Sequence, residues 1–175
     1  MRRESMNNVI VFGASYLYLV ILALAAGVFL LADRPTKWNM VRLAVVAFPV
    51  IYLVSILSGS VISSPRPFVV QHIKPLIHSD TDNGFPSDHT LLSMAVAGVV
   101  FAYSRRWGIA LLLLAALVGA ARVLAHVHHP IDVIGSTVIS LSILFLAYHL
   151  VVNRILPNLF AENPAASRGT SKPSV

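Results

Sequence analysis

The chain has 175 residues, of which 57% are hydrophobic and 11% charged, with no cysteine and a formal net charge of +6; its mean hydropathy is +0.78. This composition excludes an ordinary soluble domain, and the lack of cysteine excludes disulfides, thiolate metal sites, iron–sulfur ligation and cysteine nucleophiles. The arginines are scattered between apolar runs with no interleaved aromatics, so the charge points to membrane topology and anion handling and not to nucleic acid.

Residues 1–8, MRRESMNN, resemble the charged start of a signal peptide, but the apolar run that follows is too long and lacks a small-residue cleavage site. Val9 to Ala32 is charge-free over 24 residues, enough to cross a ~30 Å hydrocarbon core at ~1.5 Å per residue. After the polar link DRPTKWNMVR comes a second charge-free run, Leu43 to Ile62, of 20 residues. A long polar segment from Ser63 to Asp88 follows, and then a third, shorter span from about Pro86 to Tyr103. SRRW turns the chain into a fourth span, Trp107 to about Ala125, and the fifth runs from Ile131 to about Val152. The reading is an all-α, polytopic transmembrane bundle with about five spans. One domain covers 1–156, and the Pro-, Ser- and Gly-rich segment 157–175 reads as a disordered tail.

Five spans place segment 63–88, the HVHHP turn and the N-terminus on one membrane face. The other face receives Arg34, Lys37, Arg42, Arg105, Arg106, Arg154, Arg168 and Lys172, eight of the 13 basic residues. By the positive-inside rule that face, with the C-terminus, is expected to be cytoplasmic. A 26-residue loop in so compact a chain is too long to be idle.

Polar and ionisable residues at a membrane edge are costly unless they pair, bind a ligand or line a wet cavity. Three clusters qualify: SSPRPFV with Arg66, GFPSDHT with Ser87, Asp88 and His89, and AARVLAHVHHPIDV with Arg122, His128 and Asp132. In the second, Pro86 fits a first helical turn and Ser87 or Asp88 a helix cap. In the third, Arg122 and His128 would lie about 240° apart on a continuous helix, so a break at His128-His129-Pro130 is required. With Pro130 opening the next helix, Asp132 can accept a hydrogen bond from the His128 imidazole, fixing its tautomer.

Two guanidinium forks, a helix N-terminus and a carboxylate-oriented histidine together make a candidate phosphoryl-transfer site. Competing readings are a metal transporter built on His126, His128 and His129, which leaves both arginines unexplained, and an intramembrane serine protease built on Ser87, which does the same. His72, His78 and His149 read as interfacial or packing residues.

These residues resemble the type 2 phosphatidic acid phosphatase superfamily, whose signature is Lys, six residues, Arg-Pro; then Pro-Ser-Gly-His; then Ser-Arg, five residues, His, three residues, Asp. Arg66-Pro67 match the end of the first part. Pro86-Ser87-Asp88-His89 match the second with Asp88 for Gly, and Arg122, His128 and Asp132 match the third with Ala121 for Ser. The resemblance implies a phosphatase needing no metal or other cofactor. His128 is its nucleophile, Asp132 the residue that orients it and His89 the acid and base. Arg66, Arg122, Ser87 and the amides around Asp88 hold phosphate.

The chain departs from the pattern at Gly59, where the family has lysine, and in having five apparent spans where many members have six. Lys74 is one candidate to replace that lysine, Ser63 or Ser64 another, and a non-catalytic lipid-phosphate-binding relative is the rival reading. Asp88 points to the bacterial subgroup that dephosphorylates undecaprenyl diphosphate and is linked to bacitracin resistance. Phosphatidylglycerol phosphate, phosphatidate and lipid A phosphates are alternatives. The implied setting is a bacterial inner membrane, with the site extracytoplasmic and a polyprenyl or phospholipid phosphate as partner.

Overall fold

The computed structural model describes residues 2–149. The 157–175 tail, Arg154, Arg168, Lys172 and the end of the fifth run lie outside the described residues. Seven helices follow in order: α1 (Arg2–Ser15), α2 (Leu17–Leu31), α3 (Arg34–Val61), the short α4 (Pro67–Val70), α5 (Asp88–Tyr103), α6 (Arg105–Leu124) and α7 (Pro130–Leu146). The fold is all-helical. Among the described residues the one strand-like feature is an isolated antiparallel bridge between Pro65 and Asn83.

The five apolar runs map onto this order with two differences, at the first and second runs. The first run is not one straight helix: it breaks at Tyr16, and α1 and α2 meet at 51°. The bend lets α1 pack against α6 and brings the Ala14 carbonyl to within 3.2 Å of Arg122 Nη1, which donates to it. The second run starts nine residues early, because Asp33 takes the N-cap position and a proline follows in the first turn, a helix-start pattern that a reading of 33–42 as polar linker overlooks. The third run is short. At 16 residues α5 rises only ~24 Å, less than the hydrocarbon core. Among the described residues three helices are long and apolar enough to cross a membrane, or four if the bent pair is one span.

Shortness suits α5 because it is the central helix, packed against α2, α3, α6 and α7. Its buried face is built of small residues and valines, including Ala95, Ala97, Gly98, Val99 and Val100, which permits close helix approach where apolar side chains gain nothing from leaving lipid. Polar contacts add direction. Ser136 Oγ donates toward the carbonyls of Ser87 (2.9 Å) and Asp132 (2.8 Å), and Ser140 Oγ donates to the carbonyl of Leu91 (2.9 Å). The α5 N-terminus is thereby stitched to α7, at the end of the bundle where α3 and α6 also finish.

Candidate active site

The α6–α7 corner resolves the 240° problem. Helix α6 closes with a Schellman turn: Val127 N–H donates to the Arg122 carbonyl (3.3 Å) and His126 N–H to the Val123 carbonyl (3.0 Å). His126 takes the left-handed conformation such a turn needs, with φ 62°. The chain then reverses, Pro130 opens α7, and the Asp132 carboxylate accepts the His129 N–H at 2.8 Å. Arg122 and His128 thus end up side by side, with Arg122 Nη2 3.3 Å from His128 Nε2.

His128 is 3% exposed and fixed at both ring nitrogens. Nδ1 lies 2.9 Å from the Gly84 carbonyl, which can only accept, so Nδ1 carries the proton and Nε2 bears the lone pair. Arg66 Nη1 approaches Nε2 at 3.4 Å from a second direction and also donates to the Val127 carbonyl at 3.1 Å. Burial, followed by the charges of both arginines, holds the imidazolium form of His128 below its ordinary range against the opposing pull of Asp132.

The carboxylate of Asp132 is fully buried, but it is not the closest acceptor for His128. Its Oδ2 stands 3.4 Å from Nδ1, while Oδ1 takes the Ser64 hydroxyl at 2.8 Å. The Nδ1–H is therefore shared between the Gly84 carbonyl and, at longer range, the expected Asp132 carboxylate, and both acceptors favour the same tautomer. Gly84 is glycine for lack of space, since a Cβ there would sit 3.0 Å from both Asp132 Oδ2 and the Ser64 carbonyl.

A cavity of about 340 Å³ opens in front of Nε2, lined by Arg66, Arg122, His89 and His128 together with Ser15, Ile77, His78, Ser79, Asp80, Asp82 and Asp88. A larger cavity, about 490 Å³, at the opposite end of the bundle is mostly apolar and lacks any of these groups. The half-buried imidazole of His89 stacks edge-to-face on Tyr18, with centroids 4.8 Å apart. Arg122 Nε is buried with no hydrogen-bond partner among the described residues.

Two of the expected phosphate contacts, Ser87 and Lys74, look different in the fold. Ser87 is the N-cap of α5, but its hydroxyl makes no cap bond; it is fully buried, accepts from Thr90 at 3.1 Å, and is not among the cavity-lining residues. Its N–H faces the Asp132 carbonyl at 3.4 Å. Pro86 precedes the helix and does not open it. Lys74 is exposed and also stands outside the cavity lining. Asp88 is exposed at the rim. Position 59 has a steric reason to be glycine: a Cβ would fall 2.9 Å from the Phe85 carbonyl.

Sequence reasoning marked the loop as too long to be idle but missed the contacts that place it. Asn83 donates to the carbonyls of Gly59 (2.7 Å) and Ile62 (2.8 Å) and accepts the Ser64 N–H (2.8 Å), so it pins the loop to the end of α3. The Phe68 and Leu76 N–H groups donate to the carbonyls of His126 and Ala125, docking the Arg66 segment on the α6–α7 corner. Asp82 binds Arg66, and His78, read as an interfacial residue, lines the cavity. No residue-type pattern marks these roles. The available hint was the unusual length of the loop.

The three imidazoles of the HVHH stretch diverge: His126 shapes the turn, His128 faces the arginines, and His129 Nε2 lies 3.1 Å from the Pro65 carbonyl. They do not form a common ligand set.

Comparison with known proteins finds relatives along most of the chain. The PAP2 superfamily profile matches residues 9–156. The "Bacitracin transport permease protein BcrC" of Bacillus licheniformis is 35% identical over 143 residues, covering 81% of this chain and 70% of that protein. The "Undecaprenyl-diphosphatase BcrC" of Bacillus subtilis is 37% identical over 84 residues, covering 48% of this chain and 44% of that protein. Among solved structures, Aquifex aeolicus LpxE shares the fold with a TM-score of 0.65 at 23% identity, over 79% of this chain and 84% of that one. The PAP2-type phosphatidylglycerolphosphate phosphatase of B. subtilis gives 0.54 at 25% identity, over 82% and 73%. With its site geometry, membrane helices and similarity along most of its length in agreement, this chain belongs to the PAP2 superfamily and is an integral membrane phosphatase.

Proposed function

We propose that the protein hydrolyses undecaprenyl diphosphate to undecaprenyl phosphate and inorganic phosphate, through a phosphohistidine on His128. The observation that carries the chemistry is the His128 ring itself: Nδ1–H held by the Gly84 carbonyl, Nε2 unprotonated and flanked by two guanidinium groups. A phosphoryl group seated between Arg66 and Arg122 meets the Nε2 lone pair in line. The N–P bond forms as the bond to the leaving oxygen breaks, and His89, across the cavity, protonates that oxygen. His89 then takes a proton from water, whose attack on phosphorus frees phosphate and returns His128. The arginines stabilise charge on the equatorial oxygens. No step calls for a metal.

The substrate assignment draws on the two BcrC relatives and on Asp88 in the PSDH stretch. It also suits a site at the bundle end, where the phosphates of a lipid meet protein while its chain stays among apolar helices. The distribution of basic residues favours an extracytoplasmic site in the inner membrane of a bacterium.

The test is phosphate release by the detergent-solubilised protein in excess EDTA, comparing undecaprenyl diphosphate, phosphatidylglycerol phosphate, phosphatidate and a lipid A phosphate, with His128→Ala as blank. Clear preference for the diphosphate and a silent variant are expected. Preference for another lipid overturns the substrate assignment and keeps the chemistry. Release by the variant at the parent rate overturns the mechanism.

A further inference from the structure

The loop over the cavity turns carboxylates toward a site built for anions. Arg66 is 8% exposed, and both its Nε and its Nη2 donate to one oxygen, Oδ1 of Asp82, at 2.9 and 2.8 Å. The guanidinium edge that suits two-point recognition of a phosphate is thus occupied by a carboxylate. Only Nη1 is left for the Val127 carbonyl and His128. Asp82 itself has a side chain 64% exposed, so water competes for its carboxylate and weakens the pair from that side. A phosphate of higher charge displaces it at little cost. The next residue, Asn83, is tied to the end of α3 by its side chain, so the carboxylate sits on an anchored hinge and returns to one place.

We infer that Asp82 is a built-in competitor for the phosphate site: it holds Arg66 when the cavity is empty, yields to the phosphate of the substrate, and reclaims Arg66 as inorganic phosphate leaves. The inference rests on the phosphatase reading above. It assigns Asp82 control of how tightly product phosphate is retained, with no part in the bond-making steps. If Asp82 merely steered Arg66 toward the substrate, its removal would loosen anion binding; as a competitor, its removal tightens it.

The experiment measures inhibition by orthovanadate and by inorganic phosphate for the full-length parent, Asp82→Asn, Asp82→Ala and Asp80→Asn. Asp80 lines the same cavity and makes no bond to either arginine, so Asp80→Asn controls for the loss of one negative charge. Both Asp82 variants are expected to bind the two inhibitors about two- to fivefold more tightly than Asp80→Asn, the ratio that corresponds to breaking an exposed ion pair. Equal or weaker binding in the Asp82 variants, with the parent still inhibited and active, overturns the inference alone. A parent that neither releases phosphate nor responds to vanadate overturns the phosphatase reading beneath it.

Discussion

The two walls of the cavity are made differently. The inner wall, from Arg122 to Asp132, comes from 11 consecutive residues in which a Schellman turn, a helix-opening proline and a carboxylate that accepts the His129 N–H set the backbone path through local bonds. The outer wall, from Ser64 to Gly84, has little regular structure, is tied to α3 by Asn83 and to the α6–α7 corner by two backbone bonds, and presents exposed carboxylates. The proposed nucleophile, His128, must be held to within fractions of an ångström and sits on the first. The second must admit and release an anion, and its principal contact there is an exposed ion pair.

Substitutions on the inner wall should therefore strike the rate hardest. His128→Ala is expected to lower phosphate release by ~10³-fold or more, read in single-turnover assays. Arg122→Lys keeps the charge and loses the fork; a fall in kcat of ~10²-fold is expected, and a change confined to KM would mean that Arg122 grips substrate and transition state alike. For Asp132→Asn the expected loss is about 10²-fold. That falls well short of the ~10⁴-fold seen where a carboxylate alone holds the tautomer, because here the Gly84 carbonyl accepts from the same Nδ1–H. A ~10⁴-fold loss would assign the tautomer to Asp132 alone.

The acid limb of the pH dependence follows from the burial of His128. Its pKa is lowered, so the acid limb of kcat/KM is expected below the ordinary imidazole value of ~6.5. The sign for stability is the same. Once pH falls under ~6.5 the unfolded chain binds the proton more readily than the folded one, so this histidine's contribution is complete above that value and is lost as pH falls toward the folded-state pKa. A limb at or above 6.5 would argue that the ring is not desolvated.

On the outer wall the expectations are smaller and partly reversed. Restoring the family lysine by Gly59→Lys should not raise activity; it should destabilise the protein by roughly 1–3 kcal/mol, since its Cβ meets the Phe85 carbonyl, and thermal unfolding in detergent would show it. Lys74→Ala is expected to leave KM within about twofold, given its place outside the cavity lining. A marked rise in KM would bring the loop lysine into the site.

The bundle class, most of the apolar helices, the break before Pro130 and the candidate residues Arg66, His89, Arg122, His128 and Asp132 were legible in the linear chain, whereas the bend at Tyr16 and the early start of α3 were not. The legible features rest on local rules: apolar run length, helix-start residues and the angular step of a helix. Folding alone settled which partner each polar group meets. Gly84 reaches His128 across 44 positions, Asn83 reaches Gly59 across 24, and Arg66 meets His128 across 62. Ser87 and Lys74 look like phosphate ligands by residue type, yet one is sealed against Thr90 and the other stands outside. Secondary structure and motif spacing are set within a few turns of chain, whereas tautomer, cavity lining and ion-pair choice depend on contacts between segments far apart in sequence, which no local pattern encodes.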